Sequence, residues 1–567
     1  MQYRVVRADF LNWVRLAVVA VERGLMQPFH AVLCDPPYGI GMMDAHWDTF
    51  RPGQWRKGSI HRAGGLGGYR AAPTWSEMTP DQMRAYQEWV TTWATPLTRV
   101  VHPGALGFFF GGTRTVHRLA AGLENGGWTV RGQIAWLYGS GMVKGLDVAK
   151  DLDQSAFTAW LDAISHDLSA EQRRAVIRAA VRGISPDYVG EGRPAEPPDD
   201  ERLRLLLELI ERFCGPDELP PGVRLVTGRY HPPNGQPWNL RQADESSVTA
   251  APGAFTASGR RTLDRTGPAT EAARQWHGWH TALAPSHEVV VVAQSPYPAG
   301  MRRRDLAQEH GTGAYWVDGA RLPGSPLHHD EAGRPAGERS WIGGDTVWTS
   351  HPGGRWPPDV AISEGIAEAL GEQAAYFYCA KAPTWEREAG LDDLPLVEAV
   401  CGLSGSRDGS LVTNRRCARC GCWKWSWPGG TPCTCADPIW EKRDSRPAPR
   451  RNDHQTVKPV RLAEWLSRLL LPPPHRAPRR LLIPFGGTGS EGIGALLAGW
   501  GEVRMVEREE RFVEMARRRL AWWSRFCSYE EAERAYGAIR HAEKERQRER
   551  EAGQLDLFAI AGESIEG

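Results

Sequence analysis

Asp35, Pro36, Pro37 and Tyr38 follow the apolar run "AVLC" and precede "GIG". Proline lacks a backbone donor, fixes its own φ and restricts the residue before it. The Asp35 carboxylate and the Pro36 carbonyl are therefore two acceptors on a stiff turn, a pairing suited to an amino group, with the Tyr38 ring beside them. Taken alone, the same four residues also fit a Pro-Pro turn carrying a surface tyrosine. A second set lies far along the chain in "LLIPFGGTGSEGIGALLAGWGEVRMVE". There an apolar run enters Phe485, Gly486, Gly487, Thr488 and Gly489, an apolar helical stretch follows, and the next run ends at Glu507. Glycines admit a ligand close to the backbone, and an acid ending the next strand can accept from ribose hydroxyls. No basic residue waits for a pyrophosphate, so the pattern suits a nucleoside rather than a dinucleotide, and by itself it also fits a close-packed strand-to-helix turn. The third set is "CARCGCWKWSWPGGTPCTC": Cys417 and Cys420 form a Cys-x2-Cys knuckle, Cys433 and Cys435 a Cys-x-Cys pair, and Cys422 is a spare. Four thiolates suit a closed tetrahedral zinc site that organises a short segment and leaves no open position for catalysis; the alternative is free thiols in an irregular loop.

These residues need elements to hold them. "YRVV", "FLNWVRLAVVAVERG" and "AVLC" read as strand, helix and strand, which puts Asp35 at the carboxyl end of a parallel strand, where open α/β sheets bind ligands. "SEMTPDQMRAYQEWVTTWATPLTRV" reads as a helix, "GALGFFFGG" as a buried strand, and "TRTVHRLAAGLENGG" with "GQIAWLYG" as a further helix and strand. The sequence then changes character. "SAEQRRAVIRAAVRG" opens with Ser169 and Gln172 at capping-box spacing and "DDERLRLLLELIERFCG" has helical periodicity, predicting a helical insertion. The stretch from about 235 to 395 is rich in Gly, Pro and Trp, with a helix expected at "TEAARQWHGWHTAL" and a strand at "HEVVVVAQ". Alternation returns after the cysteines and ends in the helix "REERFVEMARRRLAWW" and a tail of mixed charge. Similar α/β patterns at both ends predict one sheet built from two separated pieces.

The chain has 567 residues, enough for two or three domains, and its 69 Lys and Arg balance 68 Asp and Glu at a net charge of +1. No global field draws it to nucleic acid or membrane, so a polyanion must be met by local basic runs such as "MRRRD" or "EKRDSRPAPRRND". The start lacks a signal-peptide pattern and no apolar run is long enough to span a bilayer, predicting a soluble, cytoplasmic protein with no membrane partner. Five of the ten cysteines fall between Cys417 and Cys435, which points to a metal site in a reducing compartment.

Taken together, "DPPY", "NDHQTVKPVRLAEWL" with His454, Thr456, Lys458 and Pro459, and the Phe-x-Gly-x-Gly loop with its following acid resemble the amino-methyltransferases of DNA, in the order of their permuted β class. "FFFGGTRTVHRLA", "AWLYGSGM" and "SHEVVVVAQSP" resemble the bacterial and phage branch. The resemblance covers residues 1 to about 148 and 450 to 525. It implies an α/β, Rossmann-like, circularly permuted S-adenosylmethionine-dependent sheet with a large inserted recognition region and a small zinc ribbon. The expected segments are 1–148 (catalytic half), 149–235 (helical insertion), 236–395 (target recognition and remaining methyltransferase elements), 396–449 (zinc ribbon), 450–530 (cofactor half) and 531–567 (charged tail). By resemblance, Asp35 and the Pro36 carbonyl accept from the exocyclic amine of a flipped base, held on the stiff turn that Pro37 completes, and Tyr38 stacks on that base. Phe485, Gly487 and Gly489 line S-adenosylmethionine, Glu507 holds its ribose, Thr456 and Lys458 meet its methionine end, and Asp9 stands where the family has an acid near the adenine. Ile483 departs from the Asp the family commonly places before Pro-Phe, which bears on cofactor affinity and loop geometry. The implied activity is methylation of adenine N6 in double-stranded DNA. Cytosine N4 is the alternative, followed by a non-catalytic DNA-binding relative; a glutamine or RNA methyltransferase would place the cofactor loop first. The class admits a companion restriction endonuclease, and a monomer or homodimer.

Overall fold

The computed structural model describes residues 2–39, 79–138, 146–164, 167–188, 200–215, 218–230, 263–283, 285–322, 353–371, 374, 377–380, 385–395, 413–417, 440–444, 451, 452, 454, 457–543, 545 and 546. Among them run thirteen strands: β1 (Gln2–Arg7), β2 (Phe29–Cys34), β3 (Val101–Gly111), β4 (Thr129–Leu137), β5 (Val226–Tyr230), β6 (Leu263–Thr266), β7 (His287–Gln294), β8 (Val360–Ser363), β9 (Tyr378–Ala380), β10 (Thr413–Cys417), β11 (Trp440–Asp444), β12 (Arg480–Pro484) and β13 (Glu502–Glu507). Nine of them form one sheet in the order β1-β13-β12-β2-β3-β7-β4-β8-β9, while β5-β6 and β10-β11 are antiparallel pairs. The two separated pieces thus do build one sheet: β12 and β13, late in the chain, slot between β1 and β2.

Burial explains the arrangement. Strand β2 is buried from Ala31 to Cys34 and β12 from Arg480 to Pro484, the near-continuous apolar pattern of strands covered on both faces. One face carries the helices Phe10–Glu22, Pro80–Leu97 and Val116–Asn125, whose Phe10, Val14, Tyr86, Trp93 and Leu119 pack on Phe29, Val32 and Phe109. The other carries Val460–Leu469, Ser490–Ala498 and Glu510–Trp523, whose Leu466, Ile493 and Leu520 pack on Ala31, Leu481 and Met505. Ile483 is fully buried within that second core. The helix Pro80–Leu97 starts at Thr79, which forms a capping box with Gln82.

The helices Val148–Ile164, Ala170–Arg182 and Glu201–Phe213 have a core of their own, including Phe157, Leu161, Val176, Leu206 and Ile210. Ser169 and Gln172 form the expected capping box. The unit is tied by a buried ion pair, Arg224 Nη1 to Asp153 Oδ2 at 2.7 Å, and Asp153 also accepts from the backbone N–H groups of Ala269 and Thr270. Residues beyond β6 therefore pack on this unit. The helix expected over "TEAARQWHGWHTAL" is shorter than the periodicity suggests: it spans Glu271–Gln275, and Gly278 at φ +87° follows, a conformation that ends helical geometry. Helix continues at 529–543, where Tyr529 and Ala532 are buried against the sheet's second face, so the charged stretch begins as a packed element. Among the described residues no helix is long and apolar enough to cross a membrane.

Candidate active site

Strands β1, β13, β12, β2 and β3 are parallel neighbours, so their carboxyl ends stand in a row. Along this edge lie Asp9 after β1, Glu507 ending β13, the loop 485–489 after β12, and Asp35 after β2. At about 4.8 Å per strand, the row from β1 to β2 covers roughly 14 Å, enough for a nucleoside with an amino-acid arm. The sequence placed Asp35, the glycine loop and Glu507 at strand ends and gave Asp9 by resemblance, and the structure brings all four to one edge.

The glycine loop is shaped by backbone geometry. Phe485 takes φ +53°, rare for a residue with a side chain, and its ring packs 5.0 Å from Phe10, 5.6 Å from Trp89 and 5.8 Å from Trp93 between centroids. Gly487, at φ +49°, takes a left-handed conformation beside His454, where a Cβ would lie in ordinary contact, 3.4 Å from Nε2. Its N–H donates to Glu507 Oε2 at 2.8 Å, and the Glu509 N–H donates to Glu507 Oε1 at 2.8 Å. Burial raises the Glu507 pKa, and these backbone donors oppose the rise. Behind the loop, buried Arg519 donates to the Thr488 carbonyl at 2.7 Å and the Glu386 carbonyl at 2.9 Å, fixing the turn from beneath. His454 stacks edge-on against Phe512, and burial, with the charge of Lys458 next, lowers its pKa to about 3, so the ring is neutral. Asp9 caps the helix Phe10–Glu22 by accepting from the Asn12 N–H at 3.2 Å.

Asp35 is the centre of a compact polar cluster. Lys458 Nζ lies 2.9 Å from Asp35 Oδ2, 3.2 Å from Glu288 Oε2 and 3.1 Å from the Tyr38 hydroxyl oxygen. Three acceptors match the three N–H bonds of an ammonium. The Tyr38 hydroxyl in turn donates to Glu288 Oε2 at 3.0 Å. The Tyr86 hydroxyl donates to the Pro37 carbonyl at 3.0 Å and anchors the proline turn. Gly112 passes directly under the Tyr38 ring, where a Cβ would sit 3.0 Å from Cδ2. Burial raises the Asp35 pKa, Lys458 pulls it down and Glu288 pushes it up again. Burial works against the Lys458 ammonium, yet the Asp35 and Glu288 carboxylates outweigh it and hold its pKa above the usual lysine value. Glu491, buried in the first turn of Ser490–Ala498, has its pKa raised to about 7 by burial and then by the nearby Asp35 charge. Such a cluster can hold an ionised acceptor at a dry cleft, which is what polarising a bound amine requires.

Over 113 residues the chain is 32% identical to the Type II methyltransferase M.HindIII of Haemophilus influenzae, a match covering 19% of this chain and 36% of that protein. Over that segment the chain is similar to a Type II methyltransferase. It spans about a third of the length of this curated relative. No family model matches. Among solved structures, the M1.HpyAVI–SAM complex is 10% identical with a TM-score of 0.28, covering 92% of this chain and all of that one. TTHA0409 of Thermus thermophilus, complexed with S-adenosyl-L-methionine, is 10% identical with a TM-score of 0.28, covering 92% of this chain and 96% of that one.

The sequence did not single out Glu288 or Glu491. Glu288 is two positions into β7, which runs antiparallel to β3 and β4, so its amino end reaches the edge where their carboxyl ends lie. An acid beside a histidine at the start of "HEVVVV" was the available signal. Lys458, assigned by resemblance to the methionine end of a cofactor, is bonded to Asp35. Thr456 lies outside the described residues, as do Cys420, Cys433 and Cys435; of Cys417 only its backbone place at the end of β10 is described. Among the described residues no group of three or more His, Cys, Asp and Glu side chains could hold a metal ion. The run "MRRRD" enters the helix Arg303–His310, where Arg302 and Arg304 both pair with Asp305.

Proposed function

We propose that the chain methylates the exocyclic amino group of a base in double-stranded DNA, adenine N6, with S-adenosylmethionine as donor. The observation that carries this reading is the Asp35 cluster standing two strands from Glu507 and next to the glycine loop on one sheet edge. The residues fit the cofactor: Gly487 gives the strand end a left-handed turn with no side chain, Phe485 stands beside it, and Glu507 and Asp9 offer acceptors for ribose and adenine. Bound there, the cofactor supplies an activated methyl group.

The protein's own part is orientation and polarisation. Asp35 Oδ2 is engaged by Lys458, which leaves Oδ1 to accept one amine hydrogen, while the Pro36 carbonyl accepts the other. Two acceptors draw the nitrogen lone pair out of ring conjugation, and Asp35 can take the proton the amine sheds. Tyr38, steadied by Gly112 and its hydroxyl contacts, covers the base face. The catalytic strand precedes the cofactor strand in the chain, as in the permuted β class, and this order is part of the reading. Asp in the first motif position favours adenine over cytosine by family resemblance.

Incubating the protein with duplex DNA of varied sequence and labelled S-adenosylmethionine, then digesting to nucleosides, tests the proposal. The expected product is N6-methyldeoxyadenosine, absent with Asp35→Ala. N4-methyldeoxycytidine would correct the base, and neither product would leave a DNA-binding relative. For Cys417, Cys420, Cys433 and Cys435 we keep structural zinc as the proposal, checked by stoichiometric zinc that is lost when all four are substituted. Restriction of unmodified DNA in cells carrying the gene tests for a companion endonuclease.

A further inference from the structure

Glu288 comes from a strand about 250 residues distant from Tyr38, yet its Oε2 alone meets two members of the cluster: the Tyr38 hydroxyl at 3.0 Å and Lys458 Nζ at 3.2 Å. A carboxylate oxygen has lone pairs for both donors. Its side chain is about four-fifths buried, and β7 is buried from Val289 to Gln294 between β3 and β4, so the carboxylate sits on a rigid base. Without it, the Tyr38 phenol would lose one of its two carboxylate partners, keeping only Asp35, and Lys458 would lose one of three bonds.

We propose that Glu288 is a positioning residue of this site, holding the Tyr38 ring against Gly112 and aiming Lys458 at Asp35 so that one Asp35 oxygen stays directed to the substrate amine. The inference rests on the methyltransferase reading above. Glu288 acts through its neighbours: Tyr38 is swung into place by a bond at the far end of its ring, and Asp35 is oriented by a lysine whose own direction Glu288 sets. The groups facing Asp35 are Lys458 before the helix Val460–Leu469, Glu288 on β7, Glu491 on Ser490–Ala498, and Tyr38 and Cys34 on its own strand and turn.

The test compares wild type with Glu288→Gln, Glu288→Asp, Tyr38→Phe and the double variant Glu288→Gln/Tyr38→Phe, all screened for an unchanged thermal midpoint. Glu288→Gln should lower kcat about 10- to 100-fold, the range of one charge-assisted hydrogen bond, with the KM for S-adenosylmethionine nearly unchanged. Glu288→Asp, too short to reach both donors, should recover only part of the loss. The double variant should fall by less than the product of the single effects, because both act through one contact. The acid limb of kcat/KM should move to lower pH in Glu288→Gln, since Asp35 loses a like charge, a shift that mere loosening of the fold would not give. Full kcat with an unmoved acid limb in Glu288→Gln, or strictly multiplicative effects, would overturn the proposal. A readout without turnover separates it from the functional reading: in protein labelled with ¹³C at the tyrosine Cζ, the Tyr38 resonance should move in Glu288→Gln. If wild type methylates nothing while that resonance moves, the enzyme reading falls and the contact stands. If wild type is active and the resonance is unmoved, the positioning role falls alone.

Discussion

Replacing Lys458 with methionine keeps most of the stem and deletes the charge. The lysine side chain is 4% exposed, and the two carboxylates it bridges are 15% and 21% exposed. Removing one partner of a buried ion pair strands the other and costs about 3–5 kcal/mol. For a domain of this size, that corresponds to a thermal midpoint lower by roughly 6–20 °C. The pH dependence fixes the mechanism. In the wild type, burial and Glu288 already raise the folded-state Asp35 pKa against the pull of Lys458. Without the lysine its pull is gone and only the Tyr38 hydrogen bond still opposes burial and Glu288, so the folded pKa moves further above its unfolded value. A carboxyl raised in the folded state contributes its stability at low pH and loses it as pH climbs through the folded pKa. The deficit of Lys458→Met should therefore be small near pH 4 and grow toward pH 8, measured by thermal unfolding of the full chain at both pH values. Adding Asp35→Asn should restore much of the midpoint at pH 8 without restoring methyl transfer. An equal deficit at both pH values, or no recovery with Asp35→Asn, would refute the idea that Lys458 serves as counter-ion to this acid.

Gly112→Ala should leave the fold intact and cut turnover several-fold, because a Cβ 3.0 Å from Tyr38 Cδ2 must displace the ring by a few tenths of an ångström; steady-state kinetics beside an unchanged circular dichroism spectrum checks this. Asp153→Ala should destabilise the helical unit by about 3–5 kcal/mol through stranded, buried Arg224, read as faster amide exchange in Val148–Ile164. His30, His102 and His454 have pKa values lowered by burial to about 4, 4 and 3. Between those values and the unfolded value of 6.5 the unfolded chain binds more protons, so each contributes stability that falls as pH drops below 6.5, by up to about 1.4 kcal/mol per pH unit; His102→Gln should lessen the loss in urea titrations at pH 5 relative to pH 7.

What was legible in the sequence depended on distance along the chain. Local signals carried the strand preceding Asp35, the glycine turn at 485–489 and the capping box at Ser169, because backbone periodicity and cap chemistry are settled within a few residues. Their common edge could be read because parallel strands put every carboxyl end on one side. Glu288 escaped the same logic: β7 runs the other way, so the functional end of that strand is its beginning. The partner of Lys458 was equally hidden, since a cation before a helix can face a cofactor or a neighbouring acid, and only the packing of β2, β7 and the Lys458 segment decides. The helix at Glu271–Gln275 shows the reverse failure, where apolar periodicity continued past a glycine that the backbone uses to turn.

The placement of β12 and β13 between β1 and β2 has a consequence in time. On the ribosome β1 emerges first, but its sheet neighbour β13 follows roughly 500 residues later, a delay of about 25–100 s at common elongation rates. Until then the apolar flank of β2 has no β12 to cover it, and no glycine loop stands beside Asp35. The nascent chain thus carries Asp35 and Tyr38 well before the glycine loop exists, and the shared sheet edge is incomplete until β12 and β13 have been made. Chaperone capture of ribosome-bound chains stalled before residue 480 should exceed that of chains stalled after residue 525.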